Sequence, residues 1–426
     1  MKKILALTLC SVLVFSLAAC ASGDDASGDA DGPIRIGVVN PLSGAISIVG
    51  HDGHVGQMLA IDMFNERYGG VNGRLIEAVE SDIPDAGSAT TEMNRLIHNE
   101  GLSLITGCYG SSIVEVAAAI ADRNNVFWWE YVSVLDRLTE QGYTSVFRVH
   151  ISGSIFGEEA AQAAVDFGRM MGIEPRDLKL GVISENGDFG QSLAAGIVRF
   201  AEANNVSIVL NDFYDARATT DTTPIVMRMM AAEPDIVIAT SYINDGIDIT
   251  RKMKLLNWSP KVFLGIGSGY GTYAYWEALD LDAQGQLSLD PTNAPVLESL
   301  DPDMRELVIE FSERFEREKG YPPTTVGYLA FQATWILLRD VIAVVGDVDD
   351  VDALVAAAKN INLPIGTLPT GAGVKFNEKG QNERCVIAVM QWDQGRLVTV
   401  YPDFLATRAV EHVPMPPWDQ RDFVAP

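Results

Sequence analysis

The sequence predicts an α/β fold made of two doubly wound parallel-sheet lobes. Short β-branched runs, beginning with "IRIGVV", "LIEAVES" and "LSLIT", alternate with segments of helical spacing through most of the chain. A strand followed by a helix at this spacing indicates right-handed crossover units and a parallel sheet covered on both faces. The runs fall into two groups, residues 34 to about 149 and about 152 to 265, and a folded part of roughly 400 residues favours two domains.

The first 19 residues have the features of a secretory signal peptide. Two lysines precede an apolar run from Ile4 to Ala19 that is too short to span a bilayer well. The run ends in "LAAC", which matches a lipobox, so Cys20 would carry the lipid and begin the mature chain. An ordinary secretory signal with an incidental cysteine is the alternative. Because two or three lipid chains hold a protein at a membrane, the sequence predicts an exported protein anchored to the cell membrane, facing the periplasm or the outside.

Composition limits the kinds of protein that the rest of the chain could be. Residues 20–33 are acidic, rich in small residues and without periodicity, which predicts a flexible tether. The formal net charge of −26 makes nucleic acid a poor partner. No second apolar run is recognised as long enough to span a membrane, so we expect a soluble body. Cys108 and Cys385 remain as the only possible disulfide pair, too few for a disulfide scaffold.

The last third departs from the alternation of strand and helix. A long helical region from Pro302 to Val345 precedes two strand-like runs around a turn at residues 393–395. Such additions after two lobes predict that the chain returns to complete them. After Pro402 the pattern fades into a Pro-rich tail, residues 403–426.

None of the catalytic or nucleotide-binding motifs that we considered is complete in the sequence. The stretch "GIGSGYG" at 265–271 lacks the GxGxxG spacing and the flanking glycines of a nucleophile elbow, and GxxxxGK[ST] does not occur. His51 and His54 with Asp52 suggest a metal site only weakly, because no other imidazoles are paired, and Asp52 is expected to cap the following helix. We predict neither an enzyme nor a cofactor or metal site.

In an open parallel sheet, ligands bind beyond the carboxyl ends of the strands. Ser111 and Ser112 open a helix after one strand, where unpaired N–H groups and the helix dipole favour an anion, although a plain N-cap is equally compatible. Glu130 ends the strand "NVFWWE" and should emerge at the same edge. It could meet a cationic or amide group of a ligand, or pair with Arg137 or Arg148.

Several segments together resemble the leucine/isoleucine/valine-binding family of ABC-transporter receptors. They are the lipoprotein signal, "IRIGVVNPLSG", "YGSS", "SENGDFGQSLA" and above all "GVKFNEKGQNERCVIAVMQWDQGRLVTVYP". The resemblance covers residues 34 to about 402 and implies a type I periplasmic-binding-protein fold with a three-segment hinge. It places residues 34–149 and 270–383 in the N-terminal lobe and residues 150–269 and 384–402 in the other.

The resemblance also implies a function and a set of partners. The protein would be a monomeric, lipid-anchored receptor of an ABC importer that closes on a small polar ligand, a branched-chain or other amino acid, and docks on the permease and its ATPase. The alternatives are amide, urea-like or carboxylate ligands, and a sensor that feeds a membrane receptor. Carried over onto this sequence, the ligand loops fall on Tyr109, Ser111, Ser112, Glu130, Tyr131, Ser133, Val134, Phe189, Tyr242 and Gly267.

Departures from the family pattern leave the ligand open. Val49 stands where a ring often packs, Val134 replaces a threonine, and Gly267 replaces the acid that receives the ammonium group. A buried ammonium without a partner costs several kcal/mol. Therefore either Glu130 or Asp245 has taken over this role, with Glu130 as our hypothesis, or the ligand is not an α-amino acid. Relatives can bridge the position of Cys108 to that of Ile83, but an isoleucine cannot, so Cys108 is expected to be a free buried thiol.

Overall fold

The computed structural model describes residues 32–216 and 218–421, and the chain from Pro33 onward forms one compact unit. The expectations for the signal peptide, Cys20 and the start of the tether lie outside the described residues. The strands are β1 Ile34–Asn40, β2 Ile76–Asp82, β3 Leu104–Thr106, β4 Phe127–Glu130, β5 Val146–Arg148, β6 Lys179–Glu185, β7 Ser207–Tyr214, β8 Ile236–Thr240, β9 Val262–Ile266, β10 Leu287–Asp290, β11 Ala388–Asp393 and β12 Arg396–Tyr401. The α-helices are α1 Ser47–Tyr68, α2 Ala86–Asn94, α3 Ser111–Arg123, α4 Gly153–Met170, α5 Asp188–Asn204, α6 Thr223–Ala232, α7 Ile243–Leu255, α8 Ser268–Gly271, α9 Tyr273–Leu279, α10 Pro302–Lys319, α11 Thr325–Ile336, α12 Ala343–Val345 and α13 Val351–Asn360.

The first sheet is parallel throughout and has the order β2-β1-β3-β4-β5. Its inner strands β1, β3 and β4 are nearly continuous apolar runs because helices cover both faces. One face packs on α1, α10, α11 and α13 and the other on α2 and α3. Helices from the last third of the chain therefore complete the first lobe.

The second sheet has the order β12-β11-β10-β9-β8-β6-β7. Strands β6 to β10 are parallel, and β11 and β12 form an antiparallel hairpin at the edge. The tight turn of this hairpin has Gln394 and Gly395 at positive φ, as a two-residue hairpin loop requires. The two strand-like runs predicted around residues 393–395 are thus confirmed.

The lobe boundary predicted at residue 270 is wrong by about twenty residues. Strand β10 pairs with β9 on one side and β11 on the other, and Tyr270 and Tyr275 are buried in the core of the second lobe. The sequence pattern missed β10 because its four residues, "LSLD", are few and include no β-branched or aromatic residue. Asp290, the last residue of β10, therefore belongs to the second lobe and lies at the end of its sheet where the parallel strands have their carboxyl ends.

Three segments of chain connect the two sheets, at residues 149–152, 291–301 and 383–387. Side chains before the third crossing bind the first: Asn382 Nδ2 donates to the Val149 carbonyl at 2.8 Å and Gln381 Nε2 to the His150 carbonyl at 2.8 Å. The predicted α/β fold with two doubly wound lobes and a three-segment hinge is confirmed.

Three further expectations are revised. Residues 403–421 pack on the folded body: Leu405 is buried beside Gly371 of the first lobe, and the Met415 N–H donates to the Lys261 carbonyl of the second. The helical stretch Thr325–Val345 does meet the length and hydropathy of a membrane span, but 72% of its most apolar part is buried in the first core. Asp52 does not cap α1; it is buried within it and accepts from Thr324 and Lys319.

Candidate functional site

A cavity lies between the two lobes, at the carboxyl edges of their sheets. Side chains and backbone from both lobes line it: Tyr109, Gly110, Ser111, Val132, Ser133, Val134, Val326 and Leu329 from the first, Phe156, Phe189, Tyr242, Gly267 and Asp290 from the second, and His150 from the first crossing. Most of these side chains are apolar. Apart from tyrosine hydroxyls, the polar groups stand at three places: the start of α3, the end of β10 and His150 in the first crossing.

The first polar place is the amino terminus of α3. Its N-cap residue is Gly110, at φ 104°, and no side chain caps the helix. Ser111 therefore does not serve as an N-cap, and its Oγ accepts a hydrogen bond from Ser133 Oγ at 3.3 Å. The backbone N–H groups of the first turn and two hydroxyls converge there, which is an arrangement suited to a carboxylate.

Glu130 is placed differently from our hypothesis. Its side chain is fully buried beside the cavity wall, and its oxygens accept from Cys108 N (3.1 Å), Trp128 Nε1 (3.2 Å), Val132 N (2.9 Å) and Ser133 N (2.9 Å). Burial raises the pKa of Glu130 to about 8, while these N–H donors act in the opposite direction. Glu130 thus holds together two loops that line the site, and it does not line the cavity itself.

Neither alternative ion pair for Glu130 forms. Arg137 pairs with Glu115 and Asp188. Arg148 is buried, and its guanidinium donates to the carbonyls of residues 133 and 135, to the 139 hydroxyl and to the 381 side-chain oxygen. Burial without an anionic contact lowers the pKa of Arg148 to about 10.

Tyr131 also lies behind the wall. It is fully buried, and its hydroxyl donates to Asn40 Oδ1 at 2.6 Å, while Asn40 Nδ2 donates to Gln57 Oε1 at 2.6 Å. This buried polar network ties β4 to β1 and α1. We expected Tyr131 at the ligand, and its position instead makes it a support for the loop that carries Val132 and Ser133.

Two rings from the second lobe close the opposite wall. Phe189 in α5 and Tyr242 before α7 lie with ring centroids 5.8 Å apart. Gly267 follows β9 at φ +80°, and a Cβ there would lie 2.9 Å from Phe189 Cζ. The Phe189 ring thus fills the space that a side chain at position 267 would need.

Ser112 and Asp245 lie at the mouth of the cleft, outside the inner cavity. Asp245 is in the first turn of α7, and the Tyr214 hydroxyl lies 3.4 Å from its Oδ2. Burial raises the pKa of Asp245 to about 6. Val49, expected in the first loop, is instead buried in the first turn of α1.

Sequence reasoning missed His150, Phe156, Val326, Leu329 and Asp290. Burial lowers the pKa of His150 to about 3, so its imidazole is neutral, and its ring packs edge-on against Phe156. Desolvation raises the pKa of Asp290 to about 8. The signal that could have found Asp290 is the one that drew attention to Glu130, a carboxylate at the end of a strand.

Among the described residues, both cysteines are free thiols, Cys108 buried and Cys385 partly buried. Ile83 lies in the same core as Cys108, as expected for a position that cannot form a bridge.

Comparison with known proteins decides the family. The sequence pattern of the family described as "Periplasmic binding protein" matches residues 33–396. The chain belongs to this family. It is 28% identical over 372 residues to a "Leu/Ile/Val-binding protein homolog 8" of Brucella abortus, covering 87% of this chain and 91% of the relative. The chain is therefore a periplasmic substrate-binding protein of the ABC-transporter type, and this family consists of solute-binding proteins rather than enzymes.

Solved structures show the same fold. A leucine-binding protein from Thermotoga maritima aligns with a TM-score of 0.73 at 21% identity, covering 87% of this chain and 100% of that protein. A solute-binding protein from R. palustris in complex with benzoate aligns with a TM-score of 0.72 at 18% identity, covering 86% and 95%. At such low identity the similarity establishes the fold alone, and the ligands named for those proteins are theirs.

Proposed function

We propose that this protein is the lipid-anchored receptor of an ABC importer and that it closes on an amino acid with an apolar side chain. The observation that carries the proposal is the composition of the interlobe cavity, with donor groups at the start of α3 and apolar walls over most of the rest. Relatives are named for leucine, isoleucine and valine, which have this combination of a carboxylate and an aliphatic group.

The donor end suits the carboxylate of the ligand. The uncapped first turn of α3 presents N–H groups, and the hydroxyls of Ser111 and Ser133 lie 3.3 Å apart beside it. Val132, Val134 and Leu329 continue the wall with aliphatic surface. Burial of a branched aliphatic side chain there contributes about 1.5–3 kcal/mol.

Hinge closure would be the mechanism. Ligand that contacts Ser111 from one lobe and Phe189 and Tyr242 from the other favours the closed form by the difference between its affinities for the two forms. The closed form then docks on the permease and its ATPase. No covalent step is required.

A second candidate is a receptor for simple carboxylates, such as benzoate. It is favoured by Gly267, which leaves the end of β9 without the acid that the family resemblance expects. The two candidates share the donor end of the cavity and differ in whether the ligand carries an ammonium group.

The test is calorimetric titration of residues 33–426, the compact unit, with leucine, isoleucine, valine, glutamine and benzoate, together with thermal unfolding. Ligand at a hundred times its dissociation constant should add about 2.7 kcal/mol of stability. Binding of an aliphatic amino acid supports the first candidate, and binding of benzoate alone supports the second. If only glutamine binds, or nothing does, both are wrong.

The anchor is tested separately. The proposed lipidation site, Cys20, should incorporate labelled palmitate in cells, and the label should be lost in Cys20→Ala together with membrane association. A Cys385→Ala variant serves as control because this thiol lies in the folded body. If the Cys20→Ala chain stays on the membrane, the lipid anchor is wrong.

A further inference from the structure

The acid expected after β9 has no room at position 267. Gly267 has φ +80°, which side chains rarely adopt, and a Cβ would lie 2.9 Å from Phe189 Cζ. A carboxylate at this position would therefore require both a strained backbone and a displaced ring. If the ligand carries a cationic nitrogen, its partner must come from elsewhere in the cavity.

Strand β10 brings a carboxylate beside this vacant position. In the parallel pairing of β9 with β10, Leu289 lies opposite Ile266, so that Asp290 and Gly267 are the next residues on adjacent chain segments. Both line the cavity together with Phe189. The carboxylate thus stands one strand away from the place where the family resemblance expects one.

Within residues 32–216 and 218–421, no cation compensates the Asp290 carboxyl group. Among the described residues, no hydrogen bond or ion pair to its carboxylate is formed, and desolvation is the cause of its raised pKa. Asp393, another partly buried acid of this lobe, differs in that it binds Arg408 at 2.7 Å. His150, which also lines the cavity, is neutral because burial lowers its pKa to about 3.

We propose that Asp290 is the acceptor for the cationic nitrogen of the ligand and thereby selects an α-amino acid over the corresponding carboxylic acid. This inference rests on the proposed function and assigns the specificity within it. Glu130 is excluded from the role because its oxygens are occupied by backbone and indole donors, and Asp245 because it lies at the mouth of the cleft.

The experiment compares leucine with 4-methylpentanoate and 3-methylbutylamine, which lack the amino and the carboxylate group respectively. Calorimetry on the wild-type domain should show leucine binding most tightly. Asp290→Asn should lower the affinity for leucine by about 30-fold or more, as expected when one partner of a buried charge pair is removed. The affinity for 4-methylpentanoate should stay the same or increase.

Two variants make the result specific. Asp403→Asn removes an exposed acid on the same lobe and should change nothing. Asp245→Asn tests the rival acid, and a selective loss of leucine affinity in that variant, with Asp290→Asn unaffected, would overturn the proposal. Equal weakening of leucine and 4-methylpentanoate in Asp290→Asn would also overturn it, because a purely structural role does not distinguish the two probes.

Failure of the proposed function has a different signature. If the wild-type domain binds 4-methylpentanoate better than leucine, it remains a receptor but Asp290 is not an ammonium acceptor. If it binds none of the three probes, the amino-acid function and the role of Asp290 are both wrong. Thermal unfolding of Asp290→Asn without ligand at pH 7 should occur at the same or a higher temperature than in the wild type, since the variant removes a carboxyl group whose raised pKa lowers stability at that pH.

Discussion

Arg137 Nη2 lies 2.9 Å from Asp188 Oδ1 and joins the two lobes across the mouth of the cleft. Arg137 follows β4 in the first lobe, and Asp188 begins α5 in the second. The same nitrogen lies 2.5 Å from Glu115 Oε2 in α3, the helix whose first turn lines the cavity. Because the ion pair spans the lobes, it exists only when they are close together, and it therefore favours the closed form.

Arg137→Ala should weaken ligand binding by at most about fivefold. The side chain of Arg137 is 50% exposed, and exposed ion pairs contribute about 0.2–1 kcal/mol. Its removal also leaves two acids facing each other across the cleft. Calorimetry in low and high salt should show a difference between variant and wild type that shrinks as salt screens the pair.

Arg169→Ala is the matched control for this prediction. Arg169 is 55% exposed and pairs with Asp166 at 2.9 Å, but both residues lie in α4 of the second lobe. This pair does not change when the lobes move. A loss of affinity of the same size in Arg169→Ala would show that the Arg137 effect has nothing to do with closure.

Gly267→Ala should destabilise the protein by about 1–3 kcal/mol and weaken ligand binding. The new methyl group would add positive-φ strain to a collision with the Phe189 ring. Gly172→Ala is the control, because Gly172 has φ +75° with open space around it and so reports the strain alone. Urea unfolding should give a larger loss for Gly267→Ala, and Phe189→Ala should relieve the difference. Equal losses in the two glycine variants would exclude the steric explanation.

The fold could be predicted from the sequence because parallel strands covered on both faces are continuous apolar runs. "NVFWWE" and "DIVIAT" became β4 and β8 for this reason. Strands β5 and β10, with three and four residues, were missed, although β3 and β4 are equally short and were recognised. Their positions are decided by pairing with neighbours far along the chain, which local periodicity does not report.

The site was harder to predict because strand ends give a location without a side-chain direction. Glu130 and Asp290 both end a strand at the carboxyl edge of a sheet. The Glu130 side chain, however, points into the protein, where the backbone N–H groups of Val132 and Ser133 donate to it. Asp290 remained hidden because β10 was not recognised. The serines at the start of α3 needed no such information, since a helix start fixes where its N–H groups lie.

Glu130→Gln should lower the free energy of unfolding by about 2–5 kcal/mol. An amide has one accepting oxygen, so two of the four N–H donors that now bind the carboxylate would face an NH₂ group, at a cost of about 1–3 kcal/mol each. Urea unfolding without ligand measures this loss. Leucine specificity against 4-methylpentanoate should be kept by the folded variant. A stable variant that has lost this specificity would restore Glu130 as a ligand group.

Leucine affinity should increase with pH up to about 8. The pKa of Asp290 is raised to about 8, so below that pH the free protein holds a proton that an ammonium ligand must displace, and affinity should fall toward about tenfold per pH unit. The other titratable groups facing the cavity are the His150 imidazole, neutral above about pH 3, and the phenols of Tyr109 and Tyr242. At the mouth, burial raises the pKa of Asp245 to about 6.

Calorimetry between pH 5.5 and pH 9, in buffers of different ionisation enthalpy, should reveal proton release on leucine binding at pH 7 that disappears in Asp290→Asn. The same carboxyl makes the ligand-free protein less stable as pH rises from about 4 to 8. In that range the folded state keeps a proton that the unfolded chain has released, so the Asn variant should have a flatter stability profile. An affinity inflection near pH 6 that persists in Asp290→Asn would instead assign the coupled proton to Asp245.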